Sequence, residues 1–162
     1  MRVVGIDPGL ADCGYGIVHE SGGRLKAIAH GCWRTAAGEP MEQRLRTLFD
    51  GVAGLIAEHD PDAVVLEESF VGADARIALS VGQARGAVLV AAATAGVACA
   101  EYAPARVKQS VCGYGRADKA QVQRMVKTIL GLPTVPTPNH AADALAVAIC
   151  HALAPPLLRM VG

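Results

Sequence analysis

Acidic side chains follow two short apolar runs of the chain, at the point where each run ends. Asp7 comes directly after residues 3–6, and Glu67 comes directly after residues 63–66. Short apolar runs rich in β-branched residues are typical of buried strands, so each carboxylate is expected where a strand ends. Burying an ionised carboxylate is costly unless it is paired, hydrogen-bonded or bound to a metal. Asp7 is therefore a candidate ligand, although an Asp before Pro8 also commonly caps a turn.

The segment between these two runs indicates that the carboxylates lie side by side. Residues 41–59 repeat apolar side chains with helical spacing, and a strand–helix–strand connection is nearly always right-handed with parallel strands. Parallel neighbours are about 4.8 Å apart, which allows Asp7 and Glu67 to converge on one point. Two carboxylates that close repel unless one is protonated or a cation lies between them. We favour a metal site, with Glu68 facing solvent or a turn amide.

A further acidic position lies near the start of the last predicted helix, at residues 139–153. His140 and Asp143 are three residues apart, so both project from one side of that helix. Asp143 has alanine and leucine neighbours in a helix with little polar surface, which indicates that the carboxylate points at a partner. The alternatives are a favourable charge near the helix N-terminus for Asp143 and a surface or capping role for His140.

Basic residues are concentrated in one segment, although the chain as a whole has 15 basic and 15 acidic residues. Residues 102–134 contain six basic residues against the single acid Asp118. A local basic patch attracts phosphate backbones, and a solvated helix face is the alternative interpretation. The basic residues of this segment are Arg106, Lys108, Arg116, Lys119, Arg124 and Lys127.

Length and composition predict a single domain over residues 1–162 with a sizeable core, since 52% of the residues are hydrophobic. The five cysteines contain no Cys-x-x-Cys pair, which argues against a zinc site and a disulfide framework. Asp7 interrupts the first apolar run, so no signal peptide is expected. The uncharged residues 86–100 are too few for a membrane span. We expect a reduced, soluble protein of the cytoplasm without membrane contact.

Small residues recur four apart in a helix predicted over residues 74–95, at Ala78, Gly82 and Gly86. This spacing favours close approach of another backbone, either within the fold or across a dimer. The first three predicted strands form an antiparallel meander. Two of these strands lie at 14–19 and 25–33, and the other predicted elements are a strand at 97–102, a short helix at 104–108 and a helix that begins after Asp118.

Four short motifs occur in order along the chain: Gly-Ile-Asp-Pro-Gly at 5–9, Leu-Glu-Glu-Ser-Phe at 66–70, Gly-Gln-Ala-Arg-Gly at 82–86 and His-Ala-Ala-Asp-Ala-Leu-Ala at 140–146. Their order and spacing closely resemble the RuvC family of bacterial Holliday-junction resolvases over essentially the whole chain. The resemblance implies an α/β, ribonuclease-H-like fold with a five-stranded mixed sheet flanked by helices. It also implies a homodimer that acts on four-way junction DNA, with the RuvA–RuvB branch-migration complex as a partner.

The resemblance implies roles for individual residues as well. His140 stands where the family often has a further Asp, so the sequence supplies no fourth carboxylate at that position. The family's acidic site corresponds to Asp7, Glu67 and Asp143, its DNA-contacting lysines to Lys108 and Lys119, and its aromatic residue near the junction to Phe70.

The chemistry of these residues fits a nuclease independently. Carboxylates with few neutral ligands suit Mg²⁺ or Mn²⁺. Two such ions about 3.5–4 Å apart can activate a water and stabilise the departing 3′ oxygen in phosphodiester hydrolysis. We expect Asp7 to bridge two ions, with Glu67 and Asp143 each completing one side. His140 is expected to be either a ligand to one ion or a proton carrier, because a neutral imidazole can do both.

The remaining candidates would contact DNA. Lys108, Lys119 and Arg116 would neutralise phosphates beside the scissile bond. Phe70 would stack on a base unpaired at the crossover, or else form a hydrophobic plug over the site. Tyr114 is a weaker candidate for the same stacking role.

The resemblance, supported by these residues, implies a metal-dependent DNA endonuclease that resolves four-way (Holliday) junctions by paired nicking of symmetry-related strands, leaving 5′-phosphate and 3′-hydroxyl ends. A two-fold dimer suits this substrate because two identical sites can cut two equivalent strands. An actin-like kinase would need a second domain, for which the chain has no room. A non-catalytic junction-binding protein is the remaining alternative, and it would not need Asp7, Glu67 and Asp143 together.

Overall fold

The computed structural model of the protein describes residues 1–68 and 74–155. Within these ranges the helices and strands follow the order that the sequence predicts. The strands are β1 Arg2–Asp7, β2 Asp12–Ser21, β3 Arg24–Arg34, β4 Ala63–Glu67 and β5 Ala98–Tyr102. The helices are α1 Met41–His59, α2 Ala75–Thr94, α3 Pro104–Cys112, α4 Lys119–Leu130 and α5 Asn139–Leu153.

The strands form one mixed sheet in the order β3-β2-β1-β4-β5. The first three strands pair antiparallel as a meander, whereas β4 is parallel to β1 and β5 is parallel to β4. The predicted crossover through α1 is therefore confirmed. The paired residues of β1 and β4 end with Ile6 opposite Leu66, so Asp7 and Glu67 follow at neighbouring positions.

Alternating side chains of the central strands divide the core into two parts. Val3 and Val65 pack with α3, α4 and α5 on one face of the sheet, whereas Val4 packs with α1 and α2 on the other. Successive side chains of a strand point to opposite faces. Asp7 and Glu67 therefore lie on the same face as Val3 and Val65, facing α3, α4 and α5.

Glycines in β1 and β2 allow α5 to lie directly on the sheet. A Cβ at Gly14 would be 2.1 Å from the carbonyl oxygen of His140, and a Cβ at Gly5 would be 2.1 Å from that of Ala144. No other residue type fits at these positions without moving the helix. This contact holds the first turn of α5 beside the end of β1, where Asp7 lies.

The predicted elements are confirmed, and the main difference is the length of α3. This helix continues to Cys112, four residues beyond the predicted end at Lys108. Val107 and Val111 are both buried and extend its apolar face. Gly113 then ends the helix with a φ of 84°, a conformation that glycine adopts without strain.

Helix α2 is the one helix among residues 1–68 and 74–155 that is long and apolar enough, by composition, to cross a membrane. In the fold it packs against α1 and β5. Ala84 and Val88 are fully buried in the core that α2 shares with α1. The helix is therefore part of the layered fold and is not a membrane span.

Candidate active site

A cleft of about 520 Å³ lies at the carboxyl ends of β1 and β4, bordered by α3, α4 and α5 and by Val81 of α2. Helices α3, α4 and α5 contribute charged or titratable side chains near their ends or along their exposed faces. Pro8, Pro104 and Val107 supply apolar walls. The charged and titratable lining residues are Asp7, Glu67, Glu68, Lys108, Lys119, His140 and Asp143.

Asp7, His140 and Asp143 converge within this cleft. Nδ1 of His140 lies 2.7 Å from Oδ2 of Asp7, although 133 residues separate the two in the sequence. One ligand atom of each of the three residues lies within 4.8 Å of those of the other two. All three side chains are partly buried. The strand end and the first turns of α5 thus form one cluster of possible ligands.

Lys119 contributes a cation to the same cluster. Its Nζ donates a hydrogen bond to Oδ2 of Asp143 over 2.8 Å. Lys119 is the first residue of α4, and the carboxylate of Asp118 caps that helix by accepting from the backbone N–H of Gln121. Asp118 and Gln121 form a capping box, which fixes the start of α4 where Lys119 faces α5.

The electrostatics of the cleft favour protonated or cation-bound carboxylates. Burial raises the pKa of Asp7 above its ordinary value, and the hydrogen bond from His140 opposes this shift. Burial also raises the pKa of Glu67 to about 7, with further increases from the charges of Asp7 and Asp143. Lys108 and Lys119 offset part of the Glu67 shift. A bound cation would offset both the burial cost and the repulsion that raise these pKa values.

The ligand atoms of the cluster suit a hard divalent cation, which would bind carboxylate oxygens and one imidazole nitrogen. Asp7 and Asp143 offer carboxylate oxygens and His140 offers an imidazole nitrogen, all within reach of one ion. Glu67 lies outside this three-residue group but lines the same cleft. The charges of Asp7 and Asp143 contribute to its raised pKa. Glu68 is exposed, as predicted, and its backbone N–H donates to the carbonyl of Tyr102.

The predicted DNA-contacting residues fall into two groups. Lys108 and Lys119 line the cleft with the acids. Arg116 and Tyr114 are exposed on the segment between α3 and α4 and do not line it. The hydroxyl of Tyr114 donates to Oε1 of Gln121 over 2.6 Å, which holds the ring against the start of α4. Phe70 lies outside the described residues.

Two charged residues next to Glu67 were given no role by the sequence analysis. Nη1 of Arg85 donates to the backbone carbonyl of Glu67 over 2.7 Å, and Nη2 of the same guanidinium lies 2.6 Å from Oε1 of Glu101. Arg85 belongs to the Gly-Gln-Ala-Arg-Gly motif at 82–86, which was the available signal. An arginine in a helix of small, apolar residues calls for a specific partner, because its charge is otherwise buried at a cost.

Comparisons with known proteins agree on one family. The sequence profile described as "Crossover junction endodeoxyribonuclease RuvC" matches residues 3–151. A protein of that description from Desulfitobacterium hafniense is 49% identical over 162 residues, covering 100% of this chain and 98% of the relative. Another from Chloroflexus aggregans is 50% identical, covering 100% of this chain and 99% of the relative.

Solved structures give the same result. The structure of Thermus thermophilus RuvC in complex with a Holliday junction substrate superposes with a TM-score of 0.87 at 38% identity. The match covers 94% of this chain and 93% of that one.

Proposed function

The chain belongs to the RuvC family of crossover junction endodeoxyribonucleases, and we propose that Asp7, Glu67 and Asp143 form the site with which it cuts Holliday junctions. The observation that carries this assignment is the convergence of Asp7, His140 and Asp143 in a cleft that Glu67 also lines. These residues come from the ends of two parallel strands and the first turns of α5. One domain over residues 1–162 would supply the whole site.

The acidic side chains would hold Mg²⁺ or Mn²⁺, two ions per subunit. When bound, two such ions activate a water and stabilise the departing 3′ oxygen in phosphodiester hydrolysis. Asp7 contacts His140, and its charge raises the pKa of Glu67, so Asp7 would offer ligands to both ions while Glu67 and Asp143 would each offer a ligand to one. The burial of both carboxylates and the repulsion of Glu67 by Asp7 support this assignment, because a cation lowers the cost of keeping both ionised.

His140 would act either as a ligand or as a proton carrier. Its 2.7 Å contact with Asp7 orients the ring and keeps Nδ1 engaged with the carboxylate. The side chain is 42% exposed, so the ring remains accessible from the cleft. An imidazole ligand would shift metal preference from Mg²⁺ toward Mn²⁺.

The basic residues would bind the DNA backbone around the scissile phosphate. Lys108 and Lys119 line the cleft with the acids, which supports direct phosphate contacts there. Arg116 is exposed outside the cleft and suits a phosphate farther along a DNA arm. Tyr114 and Phe70 stay candidates for stacking on an unpaired base at the crossover.

The exposed face of α2 would join two subunits into a homodimer. A groove of about 670 Å³ lies between α1 and α2, lined by Leu45, Phe49, Gly86 and Val90 among others. A Cβ at Gly82 or Gly86 would meet nothing within 4 Å, so these glycines leave room for another surface rather than packing within the described fold. Large apolar side chains exposed on this helix are Ile77, Leu79 and Val90.

Family membership supports two further proposals about cellular context. Bacterial relatives of this description and the free cysteines of the chain support a reducing cytoplasm as its location. The same membership supports cooperation with the RuvA–RuvB branch-migration complex on one junction.

Cleavage of a synthetic four-way junction tests the proposed site, with a linear duplex of the same sequence as the control substrate. The wild-type protein and Asp7→Asn would be compared with Mg²⁺, Mn²⁺ or EDTA. We expect paired nicks in the junction alone, which require both a divalent metal and Asp7. Junction binding in EDTA is expected to survive the substitution, because the lysines would supply it.

The alternative outcomes are distinct. Equal cutting of the linear duplex would indicate a general nuclease on this fold. A junction that is bound but never cut with any metal would support a non-catalytic binding protein. Loss of binding together with cleavage in Asp7→Asn would assign Asp7 to the fold or to DNA binding rather than to chemistry.

A further inference from the structure

Arg85 joins three elements of the fold at the point where Glu67 lies. From α2, its guanidinium donates to the carbonyl oxygen of Glu67 at the end of β4 and pairs with the carboxylate of Glu101 on β5. The Arg85 side chain is only 14% exposed. A planar guanidinium that engages two groups through different nitrogens fixes both direction and distance.

The contact reaches Glu67 from α2, which borders the cleft at Val81 but not at Arg85. Ala100 and Tyr102 of β5 pack with α3, α4 and α5, so Glu101 between them lies on the face covered by α1 and α2. Arg85 lies on that same face and does not line the cleft. Arg85 therefore contacts the backbone carbonyl of Glu67, with Glu101 as its ion-pair partner, while the Glu67 carboxylate lines the cleft with Asp7.

The end of β4 depends on such a support. The pairing of β1 with β4 stops at Leu66, so β1 offers no ladder partner to Glu67. On the other side, Glu67 pairs with Tyr102 of β5. The hydrogen bond from Arg85 adds a charged donor to the last carbonyl of the strand, and Glu101 ties that donor to β5.

We propose that Arg85 and Glu101 are positioning residues for Glu67, holding the end of β4 so that the Glu67 carboxylate is set for the divalent ion in the cleft. This inference rests on the proposed function, because Glu67 must be a metal ligand for its position to matter. Neither residue touches metal or DNA in this role. They act through the Glu67 backbone, in the way that outer-shell partners fix metal ligands.

Electrostatics and positioning predict opposite effects of removing Arg85. An Arg85→Met substitution deletes a cation near the cleft and leaves Glu101 without that partner, so charge alone would tighten Mn²⁺ binding. Loss of position would weaken it. We expect Mn²⁺ affinity to fall about 10–100-fold, the usual effect of losing an outer-shell partner. Arg85→Lys keeps the charge but cannot span both groups, and an intermediate affinity is expected.

The measurement is Mn²⁺ binding to the full chain without DNA. The electron paramagnetic resonance signal of free Mn²⁺ gives the bound fraction. Arg24→Met on β3 is the matched control, since it removes an exposed arginine far from the cleft and should leave affinity unchanged. Asp7→Asn tests the proposed site itself. If Asp7→Asn binds Mn²⁺ with wild-type affinity, the proposed function fails. If Asp7→Asn loses affinity but Arg85→Met keeps the wild-type affinity, only the positioning role fails.

A double substitution separates positioning from general destabilisation. In a Glu67→Gln background, Arg85→Met should cause little further loss of Mn²⁺ affinity, because the ligand it positions has already been removed. Equal losses in both backgrounds would overturn the proposal. If Arg85→Met fails to fold by circular dichroism, Glu101→Gln replaces it in the same comparison, with weaker Mn²⁺ binding expected. Unchanged affinity in a folded Glu101→Gln protein would likewise overturn the role of the pair.

Discussion

At the scale of single residues, the acidic side chains of the cleft are held by long-range charged contacts. His140 contacts Asp7, and Lys119 contacts Asp143, in each case across elements distant in sequence. The sequence identified Asp7, His140 and Asp143 as candidates from their positions at a strand end and a helix start, and Lys119 from the basic segment and the family resemblance. It did not predict these pairings, because helical and strand periodicity carry no information on which side chains meet between elements.

The raised pKa of Glu67 predicts a pH-dependent stability. The folded state holds the Glu67 proton with a pKa of about 7 against an ordinary value of 4.5, so the unfolded chain loses this proton at lower pH. Stability should therefore fall as pH rises from 4.5 through 7 and then level off. We expect Glu67→Gln to show a smaller decline and a higher melting temperature at pH 7 than the wild type, measured by calorimetry in EDTA. Part of the fall in stability with rising pH should remain in Glu67→Gln, because the pKa of Asp7 is also raised. Identical slopes for the two proteins would contradict this prediction.

The ion pair of Lys119 and Asp143 predicts that one substitution changes metal binding and DNA binding in opposite directions. Lys119→Met removes a cation that is 2.8 Å from Asp143, so Mn²⁺ should bind several-fold more tightly. Junction binding should weaken, and the slope of log affinity against log salt should decrease by about one phosphate contact. Mn²⁺ titration and fluorescence anisotropy at several salt concentrations measure the two effects.

Lys26→Met is the control for this pair of measurements, because Lys26 is exposed on the edge strand β3 and lies outside the cleft. It should change neither quantity. Weaker Mn²⁺ binding in Lys119→Met would show that Lys119 orients Asp143 for the metal rather than competing with it.

At the scale of elements, the ribonuclease-H-like, five-stranded mixed sheet with flanking helices was predictable and is confirmed. Short β-branched runs, one amphipathic helix before β4 and the handedness of the crossover were enough to place β4 beside β1. The approach of α5 to the sheet was not predicted. Gly5 and Gly14 looked like ordinary strand glycines, and only the packed structure reveals which backbone lies over them.

That close approach makes Gly14 a determinant of the site. In Gly14→Ala the new Cβ would lie only 2.1 Å from the carbonyl oxygen of His140. This clash would push the start of α5 away from Asp7. We expect a destabilisation of about 1–3 kcal/mol, typical of overpacking, together with weaker Mn²⁺ binding. Chemical denaturation and metal titration measure the two effects.

Gly54→Ala is the matched control for Gly14→Ala. Gly54 lies within α1, and a Cβ there would meet nothing within 4 Å. The control should stabilise the protein by about 0.5–1 kcal/mol, because alanine favours a helix over glycine. Unchanged metal affinity in Gly14→Ala would mean that α5 tolerates the shift without moving His140 and Asp143.

At the scale of the whole molecule, the two faces of the sheet have different tasks. One face carries α5 and the acidic cleft, and the other carries α1 and the exposed surface of α2. Helix α2 therefore contributes both the proposed dimer surface and Arg85, which reaches through to the end of β4. Two subunits joined through α2 would each bring one cleft to a junction, as paired nicking requires.

The proposed dimer predicts that cleavage of the two strands can be uncoupled by a charge on α2. Val90 is 56% exposed and lines the groove between α1 and α2, so Val90→Glu would bury a carboxylate if two subunits meet there. We expect a monomer by sedimentation at concentrations where the wild type is dimeric, with Mn²⁺ binding unchanged. On a plasmid carrying a four-way junction, the variant should give single nicks in place of paired ones. Ile28→Glu changes a comparably exposed apolar residue on β3 and should leave both assembly and paired nicking intact. A Val90→Glu protein that stays dimeric and still nicks in pairs would assign the subunit contact to another surface, and the glycines of α2 would then need a different explanation.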